Sequence, residues 1–153
     1  MNDTVPISES AAIRPYARGL ALLREAGLRP TRQRLALARL LFPEDGHRHV
    51  SAEALHEEAT GAGMRMSLAT VYNTLHQFTD AGLLRELVIA PGHAIFDTNI
   101  SPHHHFYNRA TGMLCDIAED EVHIEGLPSA PDGERIAAVH VVIYTESDAA
   151  QGR

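Results

Sequence analysis

Residues 67–97 read SLATVYNTLHQFTDAGLLRELVIAPGHAIFD, and the spacing of the apolar positions changes once along this stretch. Leu68, Val71, Leu75 and Phe78 follow the helical period and so share one side of a helix. Ser67 is placed to cap the start of that helix and Gly82 to end it. Beyond Gly82, β-branched and apolar residues stand on both sides of Pro91 and Gly92, which predicts two short antiparallel strands joined by a turn.

Working upstream, HVSAEALHEEATGAG (49–63) has Ser51 before a helix-forming run whose Ala54 and Leu55 face inward, with Gly61 at its end. In GLRPTRQRLALARLLFPEDG (27–46), Thr31 is a good cap, Leu35, Leu37, Leu40 and Leu41 form an apolar face, and Pro43 stops the helix. A further helix is predicted from Tyr16 to Ala26, with Leu20, Leu22 and Leu23 inward and Gly27 as its C-cap. Short helices followed by a β-hairpin are the order of a winged helix, in which the last helix enters the major groove. The outward positions of that helix offer Thr70, Tyr72, Asn73, His76 and Gln77, while Arg65 lies just before it and Arg29, Arg32 and Arg34 sit at another helix start. The same residues also read as ordinary exposed helix surface.

Downstream, helix-forming pattern is scarce. The chain offers HHHFYN (103–108), MLCDI (113–117), a polar AEDE turn (118–121), a Pro- and Gly-containing loop from 126 to 133, and AAVHVVIYTE (137–146), where Val139, Val141 and Ile143 alternate with His140, Val142 and Tyr144. The expected fold class is α/β: a flexible arm over 1–14, a winged-helix domain over 15–93, a small α/β or mostly β dimerisation and sensing domain over 97–146, and a flexible tail over 147–153. So short a second module buries little core alone, which predicts pairing with a second copy.

Composition agrees with a folded, soluble chain: 153 residues, 44% hydrophobic and 22% charged. The net charge of −7 argues against a phosphate-neutralising protein until its distribution is read. Residues 1–92 carry ten arginines and ten acidic residues, whereas residues 93–153 carry three arginines and ten, so the whole excess falls in the second half. Every basic residue is an arginine, whose forked donors suit phosphates and guanine edges. The single cysteine, Cys115, forms no internal disulfide and reads as a small buried hydrophobe beside Leu114. No signal-like or bilayer-length apolar run occurs, so a cytoplasmic chain without membrane contact is expected.

Ten histidines are unevenly placed. His103 and His105 are two apart on a strand and share a face, while His104 points to the other. Two imidazoles and a nearby carboxylate can hold iron, zinc or manganese, and Asp97, Asp116, His123 and His140 supply further donors. A polar loop with solvated acids is the plain alternative. Metal-dependent hydrolysis and metal carriage without DNA binding are rival classes, but no base or phosphate-gripping cluster is evident and no enzyme activity is expected.

The motifs LRPTRQRLALARLL, HVSAEALH, SLATVYNTLHQFTDAGLL and HAIFDTNISPHHHFYN resemble the ferric uptake regulator family of dimeric bacterial repressors, over residues 15 to 145. The resemblance implies metal-dependent binding of a homodimer, or a dimer of dimers, to palindromic double-stranded operator DNA. It implies an interdomain metal site of His49, Asp97, His103, His105 and Asp116, and a second site of His104, His123 and His140. In that second site His104 stands where an aspartate is usual and Pro102 where some members have a ligand. The implied ion is Fe2+ or Mn2+, with Zn2+ a further candidate. For DNA it implies Arg32, Arg34, Arg65, Ser67, Thr70, Tyr72 and Asn73, the last replacing an arginine often found beside that tyrosine.

Where many members carry a cysteine pair for structural zinc, this chain has Asn108 and Thr111, so no cysteine-bound zinc is expected. That absence, the histidine triplet and the N-terminal arm resemble the haem-responsive iron response regulator branch of alphaproteobacteria. The branch implies haem bound by His103, His104 or His105, a haem-delivery enzyme as a partner, and control of iron-uptake and haem-synthesis genes. The branch's cysteine-proline haem motif is missing here. The alternative within the family is a repressor that senses the divalent metal directly, without haem.

Overall fold

A computed structural model of the chain describes residues 14–146. Of the arm expected over 1–14, Arg14 already belongs to the first helix, and the rest, like the tail after residue 146, lies outside the described residues. The chain divides into two compact units between Ile100 and Ser101. Asp97, the last residue of the hairpin's second strand, lies in the first of these units.

The first unit contains α1 (Arg14–Glu25), α2 (Arg32–Leu41), β1 (His49–Val50), α3 (Ala52–Gly61), α4 (Leu68–Asp80), β2 (Arg85–Ala90) and β3 (His93–Asp97). Three of its helices start as expected at a hydroxyl cap. Thr31 accepts from the Arg34 amide, Ser51 from Ala54 and Ser67 from Thr70, each satisfying a helix-start donor. The end of α4 is closed by Gly82, at φ +76°, with the Leu83 amide reaching back to the Phe78 carbonyl at 2.9 Å. The inward faces of the helices meet in one core, where Leu23, Leu37, Leu41, Leu55, Leu75, Phe78 and Phe96 are fully buried. The hairpin β2–β3 turns at Pro91–Gly92 and buries Leu87 and Ile89 while leaving Val88 exposed, the alternation a half-buried strand requires.

One strand of this sheet is absent from the sequence reading. β1 pairs antiparallel with β3, giving the order β1-β3-β2, with His49 opposite Asp97 and Val50 opposite Phe96. Arg48 anchors this register. Its amide donates to Thr98 Oγ1, its carbonyl accepts from the Thr98 amide, and its guanidinium clasps Glu58 and the Leu40 carbonyl.

The second unit takes the mostly β form. It holds β4 (His103–Asn108), β5 (Leu114–Ala118), a 3-10 turn (Glu119–Glu121) and β6 (Val142–Thr145), with no α-helix among its described residues. The sheet order is β5-β4-β6, with β4–β5 antiparallel and β4–β6 parallel. Two expectations are corrected here. The strand proposed over 137–146 begins only at Val142, since the Val141 amide goes to the His104 ring Nδ1 at 3.2 Å rather than into the ladder. Cys115 is exposed on β5 rather than buried; the buried apolar residue of that strand is Ile117.

Candidate functional sites

Strand alternation builds the histidine cluster. On β4, His103 and His105 share a face, and the antiparallel register puts Asp116 directly opposite His105 on the same face. The two Nε2 atoms lie 2.9 Å apart, and each is 3.4 Å from the same Asp116 Oδ1. His103 and His105 are 6% and 0% exposed, so their nitrogens converge in a largely dry place.

The outer nitrogen of His103 fixes what its inner one presents. His103 Nδ1 lies 2.7 Å from the Ser101 carbonyl, which can only accept, so in the neutral ring the proton is on Nδ1 and Nε2 offers a lone pair. His105 Nδ1 lies 2.7 Å from His140 Nε2, a partner that likewise orients the ring with Nε2 toward the cluster. Two imidazole nitrogens and a carboxylate oxygen directed at one point fit a divalent cation.

In the first unit, β1–β3 pairing brings His49 Nε2 to 3.4 Å from Asp97 Oδ2. Asp97 is fully buried, and its other oxygen accepts the Asn99 amide at 2.8 Å. Both units thus contribute the ligand types expected of the first metal site: His49 and Asp97 from one, His103, His105 and Asp116 from the other.

The residues expected to form a second site are placed differently. His104 is buried on the opposite face of β4 with its ring 6.3 Å from that of His140, and His123 is exposed in the segment after the 3-10 turn. Among the described residues these three do not form a ligand group of their own. The bond from His140 to His105 was not legible in sequence, because it joins positions 35 apart through a parallel strand pairing.

On the first unit, an arginine-lined surface adjoins α4. One hollow of about 1010 Å3 is lined by Arg32, Arg39 and Arg65 together with Tyr16, Met64 and Met66. A smaller one of about 440 Å3 is lined by Arg29, Gln33, Arg34, Thr70, Asn73 and Gln77. Arg32, Arg65 and Asn73 are exposed, as a DNA-facing role requires. Ser67 and Thr70 are hydrogen-bonded to each other at 2.9 Å. Two further side chains are engaged within the protein. Tyr72 donates its hydroxyl to Glu53 Oε1 at 2.6 Å, and Arg34 bonds Gln77 and the Arg29 carbonyl.

Helices and wing in one unit and a histidine–carboxylate cluster able to hold a divalent cation in the other are the features of a DNA-binding regulator. The ferric uptake regulator family model matches residues 25–143, and the chain belongs to that family, one of DNA-binding transcription regulators rather than enzymes. It is 33% identical over 124 residues to the ferric uptake regulation protein of Shigella flexneri, covering 80% of this chain and 83% of that protein. It is 34% identical over 98 residues to the peroxide-responsive repressor PerR of Staphylococcus aureus, covering 64% and 65%. The fold is similar to the manganese-bound ferric uptake regulator of Pseudomonas aeruginosa, with TM-score 0.64, 27% identity and coverage of 84% and 97%. The Vibrio cholerae regulator, at TM-score 0.64 and 24% identity, supports the fold alone. None of the described helices is long and apolar enough to cross a membrane.

Proposed function

We propose that this chain is a transcriptional repressor that senses a divalent metal directly and binds palindromic operator DNA as a homodimer. The observation that carries it is the convergence of His103 Nε2, His105 Nε2 and Asp116 Oδ1, two imidazoles and one carboxylate oriented by outer partners. His49 and Asp97 complete the ligand set. Two donors from one unit and three from the other are each short of the roughly five or six that Fe2+ or Mn2+ takes. An ion using both sets would favour one arrangement of reader and dimerisation units, and its effect on operator affinity is its preference for that arrangement.

Direct metal sensing fits better than a haem response. Two of the relatives above are named for ferric uptake and peroxide response, and the solved Pseudomonas aeruginosa regulator holds manganese. His103, His104 and His105 are 6%, 5% and 0% exposed, so a macrocycle reaching any of these rings would have to displace the chain that covers them, a demand that a single ion does not make. A haem-delivery partner has no support beyond the branch resemblance.

The test is titration of the purified metal-free protein with Mn2+ and, separately, with haem, reading binding to duplexes with a randomised core. Mn2+ is expected to raise affinity and haem to leave the protein without a matching gain or loss. Binding that answers to haem and ignores Mn2+ would overturn direct metal sensing.

A further inference from the structure

Arg34 lies in the first turn of α2, half-buried, and its guanidinium meets two acceptors. Nη1 donates to the Arg29 carbonyl at 2.7 Å, while Nε and Nη2 both donate to Gln77 Oε1, at 3.1 and 2.8 Å. A guanidinium has no acceptor atom, so the amide atom facing it must be the Gln77 oxygen. Two donors converge on that oxygen, and the amide nitrogen of Gln77 is directed away with both of its hydrogens.

Gln77 is exposed, one turn along α4 from Asn73, and both line the smaller hollow beside Thr70 and Arg29. A glutamine free to rotate reads adenine by pairing one donor and one acceptor with N6 and N7. With its oxygen held by Arg34, Gln77 cannot supply the acceptor. The adjacent positive charge also polarises the amide and strengthens its remaining donors.

We propose that Arg34 is a positioning residue that turns Gln77 into a donor-only reader, specific for a hydrogen-bond acceptor on the DNA. Guanine N7 and O6, adenine N7, thymine O4 and a phosphate oxygen share that chemistry, while the bidentate pairing that favours adenine is lost. The inference rests on the DNA-binding reading above and assigns Arg34 a role other than direct contact with phosphate.

The test uses the full chain loaded with Mn2+, duplexes with a randomised core, and the variants Gln77→Glu, Gln77→Met and Arg34→Met. Gln77→Glu keeps the oxygen that Arg34 holds, and so keeps the α2–α4 clasp, but removes the donors; Gln77→Met removes the donors without adding charge. Both are expected to weaken binding roughly tenfold or more, with Gln77→Glu melting at or above the wild-type temperature. A preference lost at one base-pair position in the Gln77 variants, and shifted toward adenine there by Arg34→Met, marks a base edge as the acceptor. A uniform loss across sequences in Gln77→Met, with no preference lost at any one position, marks a phosphate. Either Gln77 variant binding within twofold of wild type, or Arg34→Met binding and selecting as wild type does, overturns the proposal. A wild-type protein that enriches no duplex overturns the DNA-binding reading itself, and this inference with it.

Discussion

The Tyr72 hydroxyl donates to Glu53 Oε1 at 2.6 Å, tying the exposed side of α4 to the first turn of α3. The bond holds the Glu53 carboxyl below its ordinary 4.5 and the Tyr72 phenol above its ordinary 10.0. The Glu53 contribution is present above the ordinary carboxyl value and is lost as pH falls through the lowered one. The Tyr72 contribution is present below the ordinary phenol value and is lost as pH rises through the raised one. Between about pH 5 and pH 9 the link is therefore constant. The stability difference between wild type and Tyr72→Phe, measured by urea unfolding, is expected to be flat across that window and to shrink outside it.

The same pair places a negative charge beside the proposed DNA face. Glu53→Gln removes that charge and keeps an acceptor for Tyr72, so duplex binding is expected to tighten about two- to fivefold, with the gain largest at low salt. Unchanged affinity at low ionic strength would mean that Tyr72 and Glu53 lie away from the phosphates.

The ligand cluster predicts graded losses. His140 meets His105 from outside the proposed ligand set, and His140→Ala is expected to weaken Mn2+ binding about 10–100-fold. His103→Ala and Asp116→Ala remove ligands and should each cost more than about 100-fold, a larger loss than that of an outer partner. Isothermal titration separates these classes. In the wild type, Mn2+ at about a hundredfold over its dissociation constant should stabilise the fold by about 2.7 kcal/mol, and chelation should reverse it.

Two glycines give opposite stability changes. Gly19 lies inside α1, where an added Cβ would sit 3.6 Å from Ala38 Cβ, an ordinary contact. Gly19→Ala should stabilise by about 0.5–1 kcal/mol. Gly82 holds φ +76° at the end of α4, a conformation that penalises a Cβ, and Gly82→Ala should destabilise by roughly 1–2 kcal/mol. Thermal unfolding of the two variants checks both signs.

The parts of this fold legible in sequence are those with local causes. Thr31, Ser51 and Ser67 announce helices α2, α3 and α4 because a cap acts within one turn, and alternation along β4 separates His103 and His105 from His104. What was hidden depends on distant partners. β1 is two residues long and exists through its pairing with β3, supported by Arg48 reaching Glu58 and Leu40. The apolar run before Val142 looks like strand, yet the Val141 amide is taken by a side chain from β4. The engagement of Arg34 by Gln77 joins residues 43 apart, so no local pattern could separate that arginine from its exposed neighbours.

The route by which β6 reaches β4 sets an order of assembly. β4 and β5 are joined through the short turn at 109–113, whereas Val142 meets His105 only after residues 119–141, whose one local element is a 3-10 turn. Closing the longer loop costs more chain entropy before any hydrogen bond of that ladder repays it, so the hairpin forms early and β6 docks last. His140 immediately precedes β6, and the ring that orients His105 therefore arrives with the final strand. In native-state hydrogen exchange the amides of Val142–Thr145 should open ahead of those in the β4–β5 ladder, and metal should slow them most. An ion at His105 would thus act as the fastener of the last-folded segment.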